Sequence, residues 1–221
     1  MLDVPVFITC RDRLKDLRRL VEWLELAGHR RITFLDNASS YTPLLRYMAA
    51  SKHEVRWLGG NLGSRALWAA EMVPDEPFVL TDPDIIPLDS CPLDAVAHLQ
   101  RLLDDHPGYP KAGLGLYLED TPDFPSKDWE RSLHSREIAP GAFDSLIDTT
   151  FALYRPGSEF AYEAIRTGQP YVARHSSWYV TEPDAEDRYY LDRAATGVTG
   201  SSWKEGLAEP RQAAKQADVL H

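Results

Sequence analysis

Two cysteines in 221 residues, Cys10 and Cys91, exclude a disulfide framework and a cysteine-rich metal centre. Each stands beside an apolar strand end rather than at a metal-type or disulfide-type spacing, which reads as two reduced thiols in a cytoplasm-like compartment. Long apolar runs are missing as well, and nothing approaches the roughly 20 residues that a bilayer-crossing helix needs. The opening MLDVPVFITC carries an early acid and no basic leader region, so the expectation is an unexported, cytoplasmic chain with no transmembrane segment. Positive charge is in deficit: 24 Lys+Arg against 34 Asp+Glu give a formal net charge of -10. A nucleic-acid binder needs a basic face to displace counterions from phosphates, so that class is excluded and only a local basic pocket remains open.

What the chain does have is apolar material, 43% of its residues, enough for one α/β core and too little for a second independent domain. Residues 4–9 form the continuous apolar run of a strand buried on both faces, and Asp12 then stands where a helix N-cap belongs. Leu14, Leu17, Leu20, Val21 and Leu24 repeat at helical spacing until Gly28 ends the helix. A second strand spans 32–35, turn chemistry follows at 36–40, and Thr42-Pro43 opens a helix carrying Leu44, Leu45 and Met48. After a third strand at 55–58 and a glycine turn at 59–63, Ser64 caps a helix with Leu67, Trp68 and Met72, and a fourth strand covers 78–81.

This alternation predicts a single α/β, Rossmann-like domain with a mostly parallel central sheet, helices on both faces, and ligands at the carboxyl ends of the strands. Further along, the pattern predicts a helix over 93–103, strands over 112–118, 146–154 and 171–174, and a C-terminal surface helix over 204–221. Between 119 and 145 the periodicity fails, with Pro122, Pro125 and Pro140 interrupting a polar stretch that leaves Trp129 exposed. A segment of that length without regular structure is functional or mobile.

Asp82-Pro83-Asp84 follows the fourth strand directly. A DxD triplet arises by chance about once in a chain of this size, so its position carries the argument rather than its pattern. Two acids at a strand end suit Mg2+ or Mn2+, hard cations bound by oxygen ligands and shared with substrate phosphates. Ile85-Ile86-Pro87 then braces the pair from the core side. In the loop after the third strand, Asn61, Gly63 and Arg65 offer backbone amides and a guanidinium to a phosphate.

Six segments, VFITCRDR, FLDNASS, GGNLGSRALW, FVLTDPDIIP, IDTTFALYR and ARHSSWY, resemble in type and order the GT-A fold glycosyltransferases, in particular family-two-like bacterial members, over residues 4–190. That resemblance implies a GT-A domain over 1–203, with a nucleotide-binding half at 1–90 and an acceptor-side half at 91–203. It implies a nucleotide-diphosphate sugar donor, a UDP-sugar by preference, with Thr9, Arg11, Asp36 and Asn37 at its base and ribose, and a glycosyl acceptor of unstated kind. His175, in the run HSSWY, would join Asp82 and Asp84 on the metal. An inverting transfer also needs a carboxylate to take the acceptor hydroxyl proton. Asp148 is the first candidate, followed by Asp120 and Glu119. The chain departs from the family in lacking the paired-acid motif before a C-terminal helix; Glu182, Glu186 and Asp187 only form an acidic stretch before Tyr189-Tyr190.

Rival classes fit less well. A haloacid-dehalogenase-type phosphatase also uses DxD, but after its first strand and with a small hydroxyl residue soon after it. Nicotinamide oxidoreductases and sugar nucleotidyltransferases need glycines after strand one, where this chain has Cys10-Arg11-Asp12. A catalytically inactive sugar-nucleotide or carbohydrate binding protein stays open, since Trp129, Trp178 and Tyr179 suit sugar stacking in either case. A metal-ligand role for Asp84 further predicts that Asp84→Ala loses metal-dependent binding and leaves the fold intact.

Overall fold

The computed structural model describes residues 3–124 and 126–195. Its first half is the predicted alternation: β1 (Val6–Cys10), α1 (Lys15–Leu26), β2 (Ile32–Asp36), α2 (Thr42–Ala49), β3 (Glu54–Trp57), α3 (Ala66–Ala69) and β4 (Phe78–Thr81). β1, β2 and β4 are buried at every residue, as their unbroken apolar runs require of strands covered on both faces. β5 (Ile85–Pro87), α4 (Ala95–Asp105), β6 (Lys111–Gly113), β7 (Gly115–Leu116) and α5 (Lys127–Ser132) follow. After them come β8 (Glu137–Ala139), β9 (Ala142–Leu146), β10 (Ala152–Tyr154), β11 (Glu163–Thr167), β12 (Val172–His175), a 3-10 turn (Ser176–Tyr179) and α6 (Ala185–Ala195).

Among the described residues one nine-stranded sheet has the order β3-β2-β1-β4-β10-β6-β11-β9-β8, and a three-stranded sheet has the order β5-β12-β7. β3, β2, β1 and β4 run parallel, β10 lies antiparallel between β4 and β6, and β11 is again parallel to β6. The fold class is therefore α/β with a mostly parallel, mixed central sheet. From β1 the chain steps outward to β2 and β3, then returns to place β4 on the other side of β1. That reversal makes the carboxyl ends of β1 and β4 a topological switch point, the place where open α/β sheets bind ligands.

Several expectations are corrected. Asp12 does not cap α1; with φ 50° and full burial it turns its carboxylate to the Ser40 and Tyr41 amides, 2.6 and 2.8 Å away, ahead of α2. The α1 amides of Leu14 and Lys15 donate instead to Glu186 of α6, both at 3.0 Å. Ser64 makes no cap, since α3 is one turn long and starts after Arg65. The expected strand over 112–118 breaks at Leu114 because both flanking glycines are pressed against backbone: a Cβ on Gly115 would lie 2.0 Å from Thr167 O. The 119–145 segment is not wholly irregular, since it holds α5, β8 and the start of β9, and Trp129 is half-buried on α5. The helix expected over 204–221 lies outside the described residues.

The strand expected over 146–154 is two strands, with a turn over 147–151 between them. β9 pairs with β11 and β10 with β4 and β6, so the chain must cross the sheet between them. Ile147 and Phe151, 1% and 0% exposed, keep the apolar pattern alive through that turn. Beneath it lies the fully buried Lys111, whose ammonium donates to the carbonyls of Ile147 and Asp148 and to the Tyr154 hydroxyl.

Burial pulls the Lys111 ammonium down to about 7, while Asp148 and Glu163 draw it up and Arg166 opposes them. An unfolded lysine titrates near 10.4, so from about pH 7 to about pH 10 the unfolded chain binds the extra proton. The stability of wild type relative to Lys111→Met is therefore expected to rise with pH through that window. Urea titrations of both proteins at several pH values check it, and a difference that stays flat or falls contradicts the assignment.

Candidate active site

The loops that leave β1, β2, β3 and β4 lie at one end of the sheet and bond to one another, Asp12 to Ser40 and Asn37 to Leu62. Backbone register sets Ile8 beside Thr81, and Thr9 and Asp82 are the next residues of the two chains. Thr9 is 8% exposed, and its hydroxyl finds no hydrogen-bond partner among the described residues. Asp82 is half-buried and receives a 2.8 Å hydrogen bond from the Thr149 hydroxyl, in the 147–151 turn. Arg11 is 7% exposed, with its Nε 3.9 Å from the Asp12 carboxylate.

Asn37 has its amide engaged by the neighbouring loop: it accepts from Leu62 N at 3.0 Å and donates to Gly63 O at 2.9 Å. It therefore shapes the 59–63 loop. Gly63, at φ 75°, donates a hydrogen bond from its N–H to Asn61 Oδ1 at 3.1 Å, and the space a Cβ would occupy is open. Asp36 is buried and accepts from Ser39 N, and burial raises its carboxyl against the opposing hydrogen bonds of Ser39. Arg65 is directed elsewhere, stacking on Phe160 at 4.2 Å and bonding the Tyr162 hydroxyl at 3.2 Å.

The two acids of the DxD triplet take different surroundings. Asp84, 8% exposed, has Oδ2 at 4.0 Å from the Arg13 guanidinium and 3.6 Å from His175 Nδ1. Burial pushes its carboxyl upward, but His175, Arg13 and the Ser177 hydroxyl outweigh burial and hold it below the usual carboxylate range. Arg13 also lies 3.8 Å from Asp16 and 4.1 Å over the Tyr190 ring. His175 bonds the Ser177 hydroxyl through Nδ1 at 2.6 Å, and its ring lies flat on Trp178 at 4.6 Å. Phe124 covers Trp178 as well, with the two rings 4.4 Å apart. Among the described residues no group of three or more His, Cys, Asp or Glu side chains is arranged to hold a metal ion.

Of the three carboxylates expected to serve as base, two are tied to the far rim. Asp120 pairs with Arg174 and accepts from the Tyr179 hydroxyl, and these contacts, Arg174 first, hold its carboxyl low. Glu119 accepts from the Tyr117 hydroxyl at 2.9 Å and from Gln169 at 3.2 Å. Asp148 sits in the same turn as Thr149, one residue from the contact with Asp82. Sequence reasoning passed over Arg13, Thr149, Tyr190 and Lys111. Arg13 is the last residue of VFITCRDR, and its place beside a buried acid carries no local signal.

No family profile matches the chain, and no curated protein matches it. Similar solved structures include a Bacillus anthracis protein assigned as a glucose-1-phosphate thymidylyltransferase, in complex with sucrose. It is 12% identical, with a TM-score of 0.38 over 90% of this chain and 85% of that one. Another is 4-diphosphocytidyl-2C-methyl-D-erythritol synthase, 11% identical, with a TM-score of 0.36 over 100% of each chain. Likeness at this level carries no argument about activity.

The expectation that Asp84→Ala leaves the fold intact is revised by these contacts. Removing the carboxylate takes from the buried Arg13 one of its two acidic partners, Asp16 staying at 3.8 Å, and leaves His175 without its acid, a change expected to cost about 1–3 kcal/mol. Asp82→Ala, at a half-exposed strand end, is expected to cost about 1 kcal/mol or less. Urea unfolding of both variants checks the contrast, and equal losses contradict it.

Proposed function

We propose that this chain is a GT-A-type glycosyltransferase that binds a nucleoside diphosphate sugar, a UDP-sugar by preference, in the crevice between β1 and β4. The observation that carries the reading is Asp82, just past the carboxyl end of β4 and aimed by the Thr149 hydroxyl at 2.8 Å. A strand-end carboxylate at a point where strand order reverses is where a nucleotide phosphate and its cation are met. Asp36 and Arg11 lie at the ends of the neighbouring strands and suit the ribose and the diphosphate.

Mg2+ or Mn2+ fits this donor set through Asp82 alone, because such ions are commonly held by one or two carboxylates and completed by substrate phosphates and water. Asp84 and His175 serve that arrangement from behind, the Asp84 carboxylate lying 4.0 Å from Arg13 and 3.6 Å from the His175 ring. The bound cation would supply charge neutralisation at the departing diphosphate. In a direct displacement the acceptor oxygen attacks the anomeric carbon as the bond to the diphosphate oxygen breaks. Asp148, which shares the turn of Thr149 one residue from the contact with Asp82, takes the acceptor hydroxyl proton in this scheme.

Calorimetric and thermal-shift titration with UDP, GDP and CDP, each with and without manganese, tests the reading. Ligand at 100 times its Kd stabilises the native state by about 2.7 kcal/mol. Selective, manganese-dependent stabilisation by UDP is expected, and Asp82→Ala should lose it while its ligand-free melting temperature stays near wild type. No response to any of the three nucleotides contradicts the proposal.

A further inference from the structure

Lys111 is an unusual residue to find where it is. It opens β6 with 0% exposure, and its ammonium lies 4.9 Å from the Tyr154 ring centroid and 5.4 Å from that of Phe160. Burying a charge among rings has a cost that an unbranched apolar side chain would avoid. In its protonated form the side chain has three protons and meets three acceptors: Ile147 O, Asp148 O at 2.8 Å and the Tyr154 hydroxyl at 3.2 Å. Tyr154 passes its own proton on to Asp148 O at 3.1 Å. All of these acceptors lie in, or reach into, the turn over 147–151.

A second contact fixes the same turn. A Cβ on Gly113, two residues along β6, would lie 2.7 Å from both Ile147 Cδ1 and Phe151 O, so the turn is seated directly on the strand. Held this way, the turn presents the Thr149 hydroxyl to Asp82 and carries Asp148 beside it. Asp148 and Glu163 face the ammonium as anions and Arg166 as a cation.

We infer that Lys111 is a positioning residue of the crevice: from β6, across β10 from β4, its ammonium fixes the 147–151 turn and, through Thr149, the orientation of Asp82. The hold on the turn stands on geometry alone, while its consequence for ligand binding rests on the donor-site reading above.

Two measurements on the full chain separate these parts. In Lys111→Met, the amides of residues 148–151 are expected to exchange with solvent at least about tenfold faster than in wild type, while those of β1 and β2 keep their protection. Tyr154→Phe, which removes one acceptor and one donor without changing shape, should loosen the same segment less and guards against a Lys111 variant that does not fold. The second measurement is a double-mutant cycle on manganese-UDP affinity with Lys111→Met and Thr149→Val. If Lys111 acts through Thr149, each change weakens binding and the double variant binds no worse than Thr149→Val alone. Unchanged exchange in a folded Lys111→Met and in Tyr154→Phe overturns the inference, as do additive losses in the cycle. A turn that loosens in a chain whose wild type binds no nucleotide supports the hold and overturns the donor-site reading instead.

Discussion

The Asp84 carboxylate, buried between Arg13 and His175, is the constraint around which the crevice is assembled. It sits just past β4, Arg13 just past β1, and His175 at the end of β12, so one anion joins three strand ends that are remote in sequence. Arg13 extends the join to α6 through the Tyr190 ring, and the Asp84 carbonyl accepts from Ser176 N at 2.8 Å. A buried charge of this kind adds little net stability over an apolar packing, but losing one partner is costly because the other stays buried. Its effect is therefore specificity of arrangement: β1, β4, β12 and α6 meet in one way.

With Asp84 committed to the frame, Asp82 is the acid of the triplet that meets the crevice. Thr149 aims it, and the turn bearing Thr149 is held in turn by Lys111 from the opposite side of β10. Two carboxylates two residues apart thus take different partners, Asp84 the Arg13 guanidinium and Asp82 the Thr149 hydroxyl. The same economy is seen at the first two helices, where Asp12 meets the amides before α2 and Glu186 those at the start of α1. These carboxylates complement the positive helix ends that a phosphate would otherwise seek.

The parallel half of the sheet was legible in the sequence because strands covered on both faces leave short, unbroken apolar runs, as β1, β2 and β4 do. The second half was less so, for physical reasons that differ by element. β11 carries Arg166 and Thr167 into the interior, the former paired with Glu130 at 2.9 Å, so its apolar signal is diluted. α6 docks by charge and ring contacts, with Glu186 on α1, Arg193 on Asp12 at 3.3 Å and Tyr189 on Ser40 at 2.9 Å. The 146–154 run misleads in the other direction, since its turn is as buried as a strand. For the site, the place of Asp82, Thr9, Arg11 and Asp36 at one end of the sheet followed from strand order. That Asp84 faces Arg13 while Asp82 faces Thr149 did not, because spacing gives proximity in the chain and not the partner across a crevice.

Paramagnetic broadening by manganese in the presence of UDP, read on the backbone amides of the whole chain, tests the central claim most directly. Loss of the signals of Thr9, Asp82 and Thr149, with those of Arg31 and His53 at the opposite end of the sheet retained, is the result expected of a ligand held at the β1 and β4 carboxyl ends. Broadening centred on Arg31 and His53, or none at any residue, would contradict it.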